Sequence, residues 1–316
     1  MSLTIFYNGI QLGVDSGSFS VICIECYMLF DLQPKWLAAI RTAPLYICMP
    51  FLAANSYVLG MTIGPFLPYE RRFKLIIGTF CHSVTWIAKN ICGIDYEVKG
   101  TENIPRDDKG YVVMSKHQST WETLFLQNIF DPNTVVLKQE LFYVPFFGWG
   151  IALLNPIFIN RSKGSSAMKQ ILNKGSERLQ RGEDILIFPE GTRVEPGSRR
   201  EFSKGGALLA VTAGSDVIPV AHNAGEHWNN KRWLKIPGTI QVVIGEPIST
   251  KGKSWEQVNE EVSNWINTKV DEISIYPYDE GFDYNDINPF PQKACNDSLV
   301  ATAIKFGQEK WNEFMR

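Results

Sequence analysis

From residue 94 to residue 270, short apolar runs alternate with longer stretches of helical periodicity, and that rhythm leaves little freedom of fold. Tyr96 and Val98, then residues 111–114, 134–137, 156–159, 185–188, 217–221 and 240–244, read as strands. Residues 119–129, 165–179 and 205–213 read as helices, as does the stripe Trp255, Val258, Val262, Ile266 and Val270. Strands that are apolar throughout, joined by helices long enough to cross over, predict an α/β fold. Its sheet is mostly parallel and covered by helices on both faces. Ligands of such sheets bind beyond the carboxyl ends of the strands.

Two strand ends carry residues poorly suited to a core. After the run 184–187 come Phe188, Pro189, Glu190, Gly191, Thr192 and Arg193. Glycine frees the backbone to approach a ligand, and the hydroxyl and guanidinium are donors that suit a phosphate. After the run 111–114 comes Ser115-Lys116-His117-Gln118-Ser119-Thr120-Trp121-Glu122, a histidine and a carboxylate five positions apart. An imidazole accepts a proton near neutral pH, and an acid on its other nitrogen stabilises the charge that develops. Ser119 to Glu122 also fits a capping box, a purely structural use of the same residues. Ser119 as a hydrolase nucleophile lacks the Gly-x-Ser-x-Gly elbow.

Other features say less. Arg161 follows the strand 157–159 and Lys138 ends another, two more cations at strand ends. The stretch 245–254 is a near miss to a phosphate-binding loop, with six residues between its glycines and a proline among them. His222 and His227 suit a polar loop better than a metal site, and Cys23 and Cys26 have no second pair to complete one. A net charge of −2 argues against nucleic-acid binding by bulk electrostatics.

The stretch from Thr42 to Tyr69 has no charged residue, long enough to span the roughly 30 Å core of a bilayer. Pro44, Pro50 and Pro65 leave a re-entrant or interfacial hairpin as the competing form. Lys35 and Arg41 precede it, and Arg71, Arg72 and Lys74 follow, which favours a cytoplasmic side for what comes next. Residues 73–91 are helical, either in the membrane or in the core. The expected organisation is an ill-defined extension (1–35), a membrane-associated helical segment (36–93), a catalytic domain (94–275), and a linker with a short helix (276–316).

Four blocks in this order resemble the PlsC-type 1-acyl-sn-glycerol-3-phosphate acyltransferases, in their bacterial branch. The blocks are His117-Gln118-Ser119-Thr120-Trp121-Glu122, Ile159-Asn160-Arg161, the six residues from Phe188 to Arg193, and Val217-Ile218-Pro219-Val220. The resemblance covers roughly residues 36–272. It implies transfer of an acyl chain to the sn-2 hydroxyl of 1-acyl-glycerol-3-phosphate, with His117 as general base and Glu122 orienting it. Glu122 stands where the family more often has aspartate. Lys138, Arg161, Glu190, Gly191, Thr192 and Arg193 are implied to hold the glycerol phosphate, and Pro219 to shape the acyl side. Neither a metal nor a bound cofactor is implied; acyl-CoA or acyl carrier protein is a co-substrate. The setting implied is the cytoplasmic membrane, with the catalytic domain facing the cytoplasm. Alternatives are another lysophospholipid or a lyso-ornithine lipid as acceptor, a non-catalytic lipid-binding protein on the same fold, or a hydrolase.

Overall fold

The alternation of runs and stripes folds into a seven-stranded sheet with helices on both faces. The computed structural model describes residues 3–7, 10–14, 35–160, 164–276, 278–280 and 283–284. Arg161, the pair Cys23 and Cys26, and the expected C-terminal helix lie outside the described residues. Strands β1 (Leu3–Tyr7) and β2 (Ile10–Val14) form an antiparallel hairpin of their own. Ala38–Tyr284 is one unit, so the apolar segment and the α/β part fold together.

The uncharged stretch begins as one continuous helix, α1 (Lys35–Thr62), of 28 residues and about 42 Å. Pro44 and Pro50 lie inside it and Pro65 falls in the following turn, Gly64–Phe66. Helix α1 is long and apolar enough to cross a membrane. Yet one stripe, including Leu45, Ala53 and Gly60, is buried against the protein, while Ile47, Phe51 and Val58 point outward. Gly60 allows a close approach there: a Cβ would lie 2.8 Å from the terminal methyls of both Ile76 and Leu153, which would have to shift. The chain returns through α2 (Tyr69–Phe73), a π-helical turn (Lys74–Gly78) and α3 (Thr79–Asn90). Phe80, Val84 and Ala88 make α3 a core helix.

The remaining strands are β3 (Ile94–Lys99), β4 (Val112–Ser115), β5 (Asn133–Lys138), β6 (Ile157–Ile159), β7 (Asp184–Ile187), β8 (Val217–His222) and β9 (Gly238–Ile244). The helices are α4 (Trp121–Ile129), α5 (Phe147–Ala152), α6 (Gly164–Gln180), α7 (Gly205–Ala213), α8 (Ala224–His227) and α9 (Trp255–Ile273). The sheet order is β3-β9-β8-β4-β7-β5-β6, parallel throughout except where β8 meets β9. The period of two sends alternate residues to opposite cores. Val113, Leu186 and Ile218 pack with Phe80, Val84 and Trp121. Val112, Met114, Ile185 and Ile187 pack with Leu209, Val262 and Ile266 on the other face. Each such side chain contributes about 1.5–3 kcal/mol by leaving water. The near-miss phosphate loop leads into a capping box, in which Ser254 Oγ accepts from Gln257 N and Gln257 Oε1 accepts from Ser254 N at 2.9 Å.

Strands β8, β4, β7, β5 and β6 run in one direction. Their carboxyl ends, His222, Ser115, Ile187, Lys138 and Ile159, therefore collect on one edge of the sheet. Both polar strand-end motifs are there.

Candidate active site

Residues 115–122 leave β4 and turn into α4. The first turn of α4 is tied by Ser119, whose Oγ accepts from Trp121 N at 3.0 Å and donates to the Trp228 carbonyl at 2.6 Å. Glu122, fully buried one turn on, points its Oε1 back at three groups. It accepts from Ser119 N at 2.8 Å and Gln118 N at 3.0 Å, and it meets His117 Nδ1 at 2.9 Å. The reach-back bond of a capping box and the orienting of histidine thus coexist on one oxygen. The extra methylene of glutamate does not spoil the contact. Glu122 Oε2 is buried with no hydrogen-bond partner among the described residues.

Burial alone raises the Glu122 carboxyl pKa. The electrostatic pull of His222 and the hydrogen bond from His117, with the Ser119 N–H, outweigh it and hold the group below the ordinary carboxylate range. An ionised Glu122 accepts a hydrogen bond from His117 Nδ1–H, which keeps the proton on that nitrogen. Nε2 is then the lone-pair nitrogen, and it has no hydrogen-bond partner among the described residues. The His117 ring stacks on Phe188 at 4.3 Å, which fixes its plane.

The peptide unit joining Lys116 to His117 is held at both ends. Its carbonyl accepts from His222 Nε2 at 2.8 Å, and its N–H donates to Glu190 Oε2 at 2.8 Å. The other oxygen of Glu190 is paired with the Lys116 ammonium. Lys116 and Glu190 are both almost completely buried. Burial pushes the Glu190 carboxyl up, against the pull of Lys116 and of the His117 N–H. His222 Nδ1 accepts from Ala224 N at 3.2 Å, so its proton sits on Nε2, where it donates. Burial lowers the His222 pKa and keeps that ring neutral. Helix α8 and the loop after it complete the frame: Gly225 N donates to Gln118 Oε1 at 3.2 Å, and Thr120 Oγ1 donates to Asn230 Oδ1 at 2.7 Å.

His117 opens onto a cavity of about 490 Å³. Lys138, Gly191, Thr192 and Arg193 line it, while Met49 of α1, Leu124, Leu137 and Phe147 give it apolar walls. Gly191 closes a turn with a 3.0 Å bond from its N–H to the Phe188 carbonyl, at φ 68°. A Cβ there would meet nothing within 4 Å, so the backbone angle is what calls for glycine. Arg193 Nε donates to the Ser119 carbonyl at 3.0 Å, which ties the second motif to the first.

Of the residues singled out from sequence, His117, Glu122, Lys138, Gly191, Thr192 and Arg193 come together at this edge. Glu190 and Pro219 do not line the cavity. Glu190 spends both oxygens inside the protein. Pro219 is buried in β8 beside Gly245, whose N–H donates to its carbonyl at 2.9 Å. Sequence reasoning missed Lys116, which reads as an ordinary strand-end cation, and the holding role of His222. Their contacts depend on β4 lying between β8 and β7, which no local pattern reports.

Known proteins resemble the chain in both sequence and fold. The sequence profile of the acyltransferase family matches residues 95–223. A 1-acyl-sn-glycerol-3-phosphate acyltransferase of Pseudomonas aeruginosa is 46% identical over 242 residues, 75% of this chain and 92% of the relative. The enzyme of the same description from Saccharomyces cerevisiae is 34% identical over 61% of this chain and 64% of its own length. The crystal structure of the 1-acyl-sn-glycerophosphate acyltransferase PlsC from Thermotoga maritima superimposes with a TM-score of 0.64 at 25% identity, over 76% of this chain and 97% of that one.

Proposed function

The chain belongs to the 1-acyl-sn-glycerol-3-phosphate acyltransferase family, and we propose that it acylates lysophosphatidic acid at the sn-2 hydroxyl to give phosphatidic acid. The observation that carries this reading is the 2.9 Å contact of His117 with Glu122 at a cavity whose rim also holds Arg193 and Lys138. Base and anion-binding cations share one space.

An alcohol is a weak nucleophile at neutral pH, and a positioned base is worth about 10²–10⁴-fold. His117 Nε2 takes the hydroxyl proton as the oxygen attacks the thioester carbonyl carbon. Collapse of the tetrahedral adduct breaks the C–S bond. The departing thiolate then takes the proton back from the imidazolium, which restores the base. Glu122 balances the imidazolium charge while it exists. No acyl-enzyme forms, which is consistent with Ser119 Oγ being bonded to the Trp228 carbonyl.

Arg193 and Lys138 hold the phosphate, with Thr192 and the Gly191 turn on the same rim; Arg161 joins them in this assignment. Binding the acceptor at a distance from its hydroxyl supplies the orientation that the base alone lacks. Glu190 acts here as a positioning residue, because a carboxylate with both oxygens engaged repels a phosphate and does not reach it. The apolar walls suit an acyl chain. The donor is acyl-CoA or acyl carrier protein, and no resident cofactor takes part. Pro219 acts by holding β8 and does not contact the acyl chain. The working location is the cytoplasmic membrane with the site facing the cytoplasm, supported by α1 and the basic residues that follow it.

The test is purified protein with lysophosphatidic acid and a panel of acyl-CoA donors, with products identified by mass. Phosphatidic acid and free thiol in equal amounts are expected. Thiol release that ignores the acceptor would contradict the reading.

A further inference from the structure

Residues 141–160 contain no Asp, Glu, Lys or Arg. They begin inside the 3₁₀ turn Gln139–Tyr143 and include α5 and β6, so they do not make a spanning helix. Its first part faces outward, at residues 142–146 and 149. Tyr143 is 68% exposed and Phe142, Val144, Phe146 and Trp149 are 39–45% exposed. The presentation is built in. Phe146 takes φ 61°, a conformation that costs a bulky residue energy, and the turn is so tight that a Cβ at Gly148 would lie 2.1 Å from the Leu141 carbonyl oxygen.

This surface continues into α1. Tyr57 packs on Phe146 and Trp149 at centroid distances of 5.9 and 5.8 Å, and those two rings meet each other at 5.8 Å. Gly150 lies against the backbone of Tyr57, and Leu153 against Gly60. The outward stripe of α1 (Ile47, Phe51 and Val58) therefore joins the outward face of the segment as one apolar area. The opposite face of the same segment supplies Leu141, Phe147 and Ile151 to the cavity.

We propose that the segment from Leu141 to Trp149 is a second lipid-contacting element, which with α1 seats the mouth of the cavity in a bilayer surface. Soluble monomers seldom expose a contiguous apolar area of this kind, and Trp and Tyr favour the boundary between acyl chains and water. The choice of lipid as occupant rests on the acyltransferase reading, whose acceptor and product are both lipids. A wall with one face on the bilayer and the other on the cavity lets a lipid pass between them without crossing water.

Two measurements test this on the full chain. Vesicles of phosphatidylethanolamine and phosphatidylglycerol carrying a diazirine on the acyl chain are irradiated with the wild-type protein, and labelled peptides are mapped by mass. Label on residues 142–149 as well as on α1 is expected; label confined to α1 overturns the proposal. The double variant Phe142→Glu, Tyr143→Glu changes two residues outside the cavity lining. It should lose at least about tenfold in turnover of vesicle-embedded lysophosphatidic acid. Its melting temperature and its turnover in detergent micelles should match wild type. Equal loss in both media contradicts the proposal, as does a fall in oligomer mass by light scattering without label on 142–149, which would make the face a self-interface. A protein inactive in micelles that still takes label on 142–149 refutes the acyltransferase reading and leaves the lipid contact standing.

Discussion

The two halves of the site lie on the same edge of the sheet and are built in opposite ways. Around His117 everything is tied: Glu122, Glu190, His222 and the Trp228 carbonyl hold the loop through buried bonds of 2.6–3.0 Å. On the other half, Lys138, Thr192 and Arg193 are exposed, and among the described residues Arg193 is anchored by one bond, from its Nε. Proton transfer requires a fixed distance between heavy atoms, whereas a charge attracts an anion over a range of positions. The clamped half suits transition-state chemistry, and the open half suits admitting and releasing a charged lipid. Substitutions on the two halves should therefore fail differently.

The largest effect on turnover belongs to His117→Ala. Steady-state kinetics should show kcat down by about 10²–10⁴-fold, the worth of a positioned base. Next comes Glu122→Gln, which removes the charge that balances the imidazolium. Its loss should not add to that of His117→Ala in the double variant, because the two act as a unit; additive losses would separate them. Lys116→Met leaves the Glu190 carboxylate buried without its cation, which costs about 3–5 kcal/mol of stability by chemical denaturation. Turnover should fall too as His117 loses its place, while the KM for the lysolipid stays near wild type.

A smaller effect, on the other half, follows Arg193→Ala. Loss of a charged hydrogen bond, worth about 1.5–3 kcal/mol, should raise KM by about tenfold or more with kcat less affected. A selective fall in kcat would move Arg193 to the clamped half. The smallest effect on turnover is expected at Asp184, at the amino end of β7 and away from both halves. Burial pushes its carboxyl up to about 6, well above the ordinary aspartate value. The unfolded chain gives up this proton first, so stability falls as pH rises through that window, by up to about 3 kcal/mol. Asp184→Asn keeps an oxygen for the Tyr111 N–H, which now donates at 2.9 Å. Its denaturation profile should lose that fall and its turnover should stay at the wild-type level.

What sequence could reveal follows the same division. His117 and Glu122 are legible because their spacing is local, one turn across a strand-to-helix junction. The parallel sheet is legible because its strands are apolar on both faces. The clamp is not, since Glu190, just beyond β7, and His222, at the end of β8, reach the Lys116–His117 peptide from positions distant in sequence. Glu190 sits in a motif full of anion-binding groups, so it reads as one of them until its burial beside Lys116 is seen. Pro219 reads as part of the acyl wall, whereas its side chain lies in the sheet interior near Gly245. The segment 141–160 lacks charge but also lacks the length of any one element, so no helical or strand period announces its outward face.

The central claim is that His117 does chemistry and the cationic rim does binding. Isothermal titration of lysophosphatidic acid into the His117→Ala and Arg193→Ala proteins tests it without turnover. The account predicts wild-type affinity for His117→Ala, which no longer turns over, and affinity weakened about tenfold or more for Arg193→Ala. Loss of lysolipid binding in His117→Ala, or undiminished binding in Arg193→Ala, would contradict it.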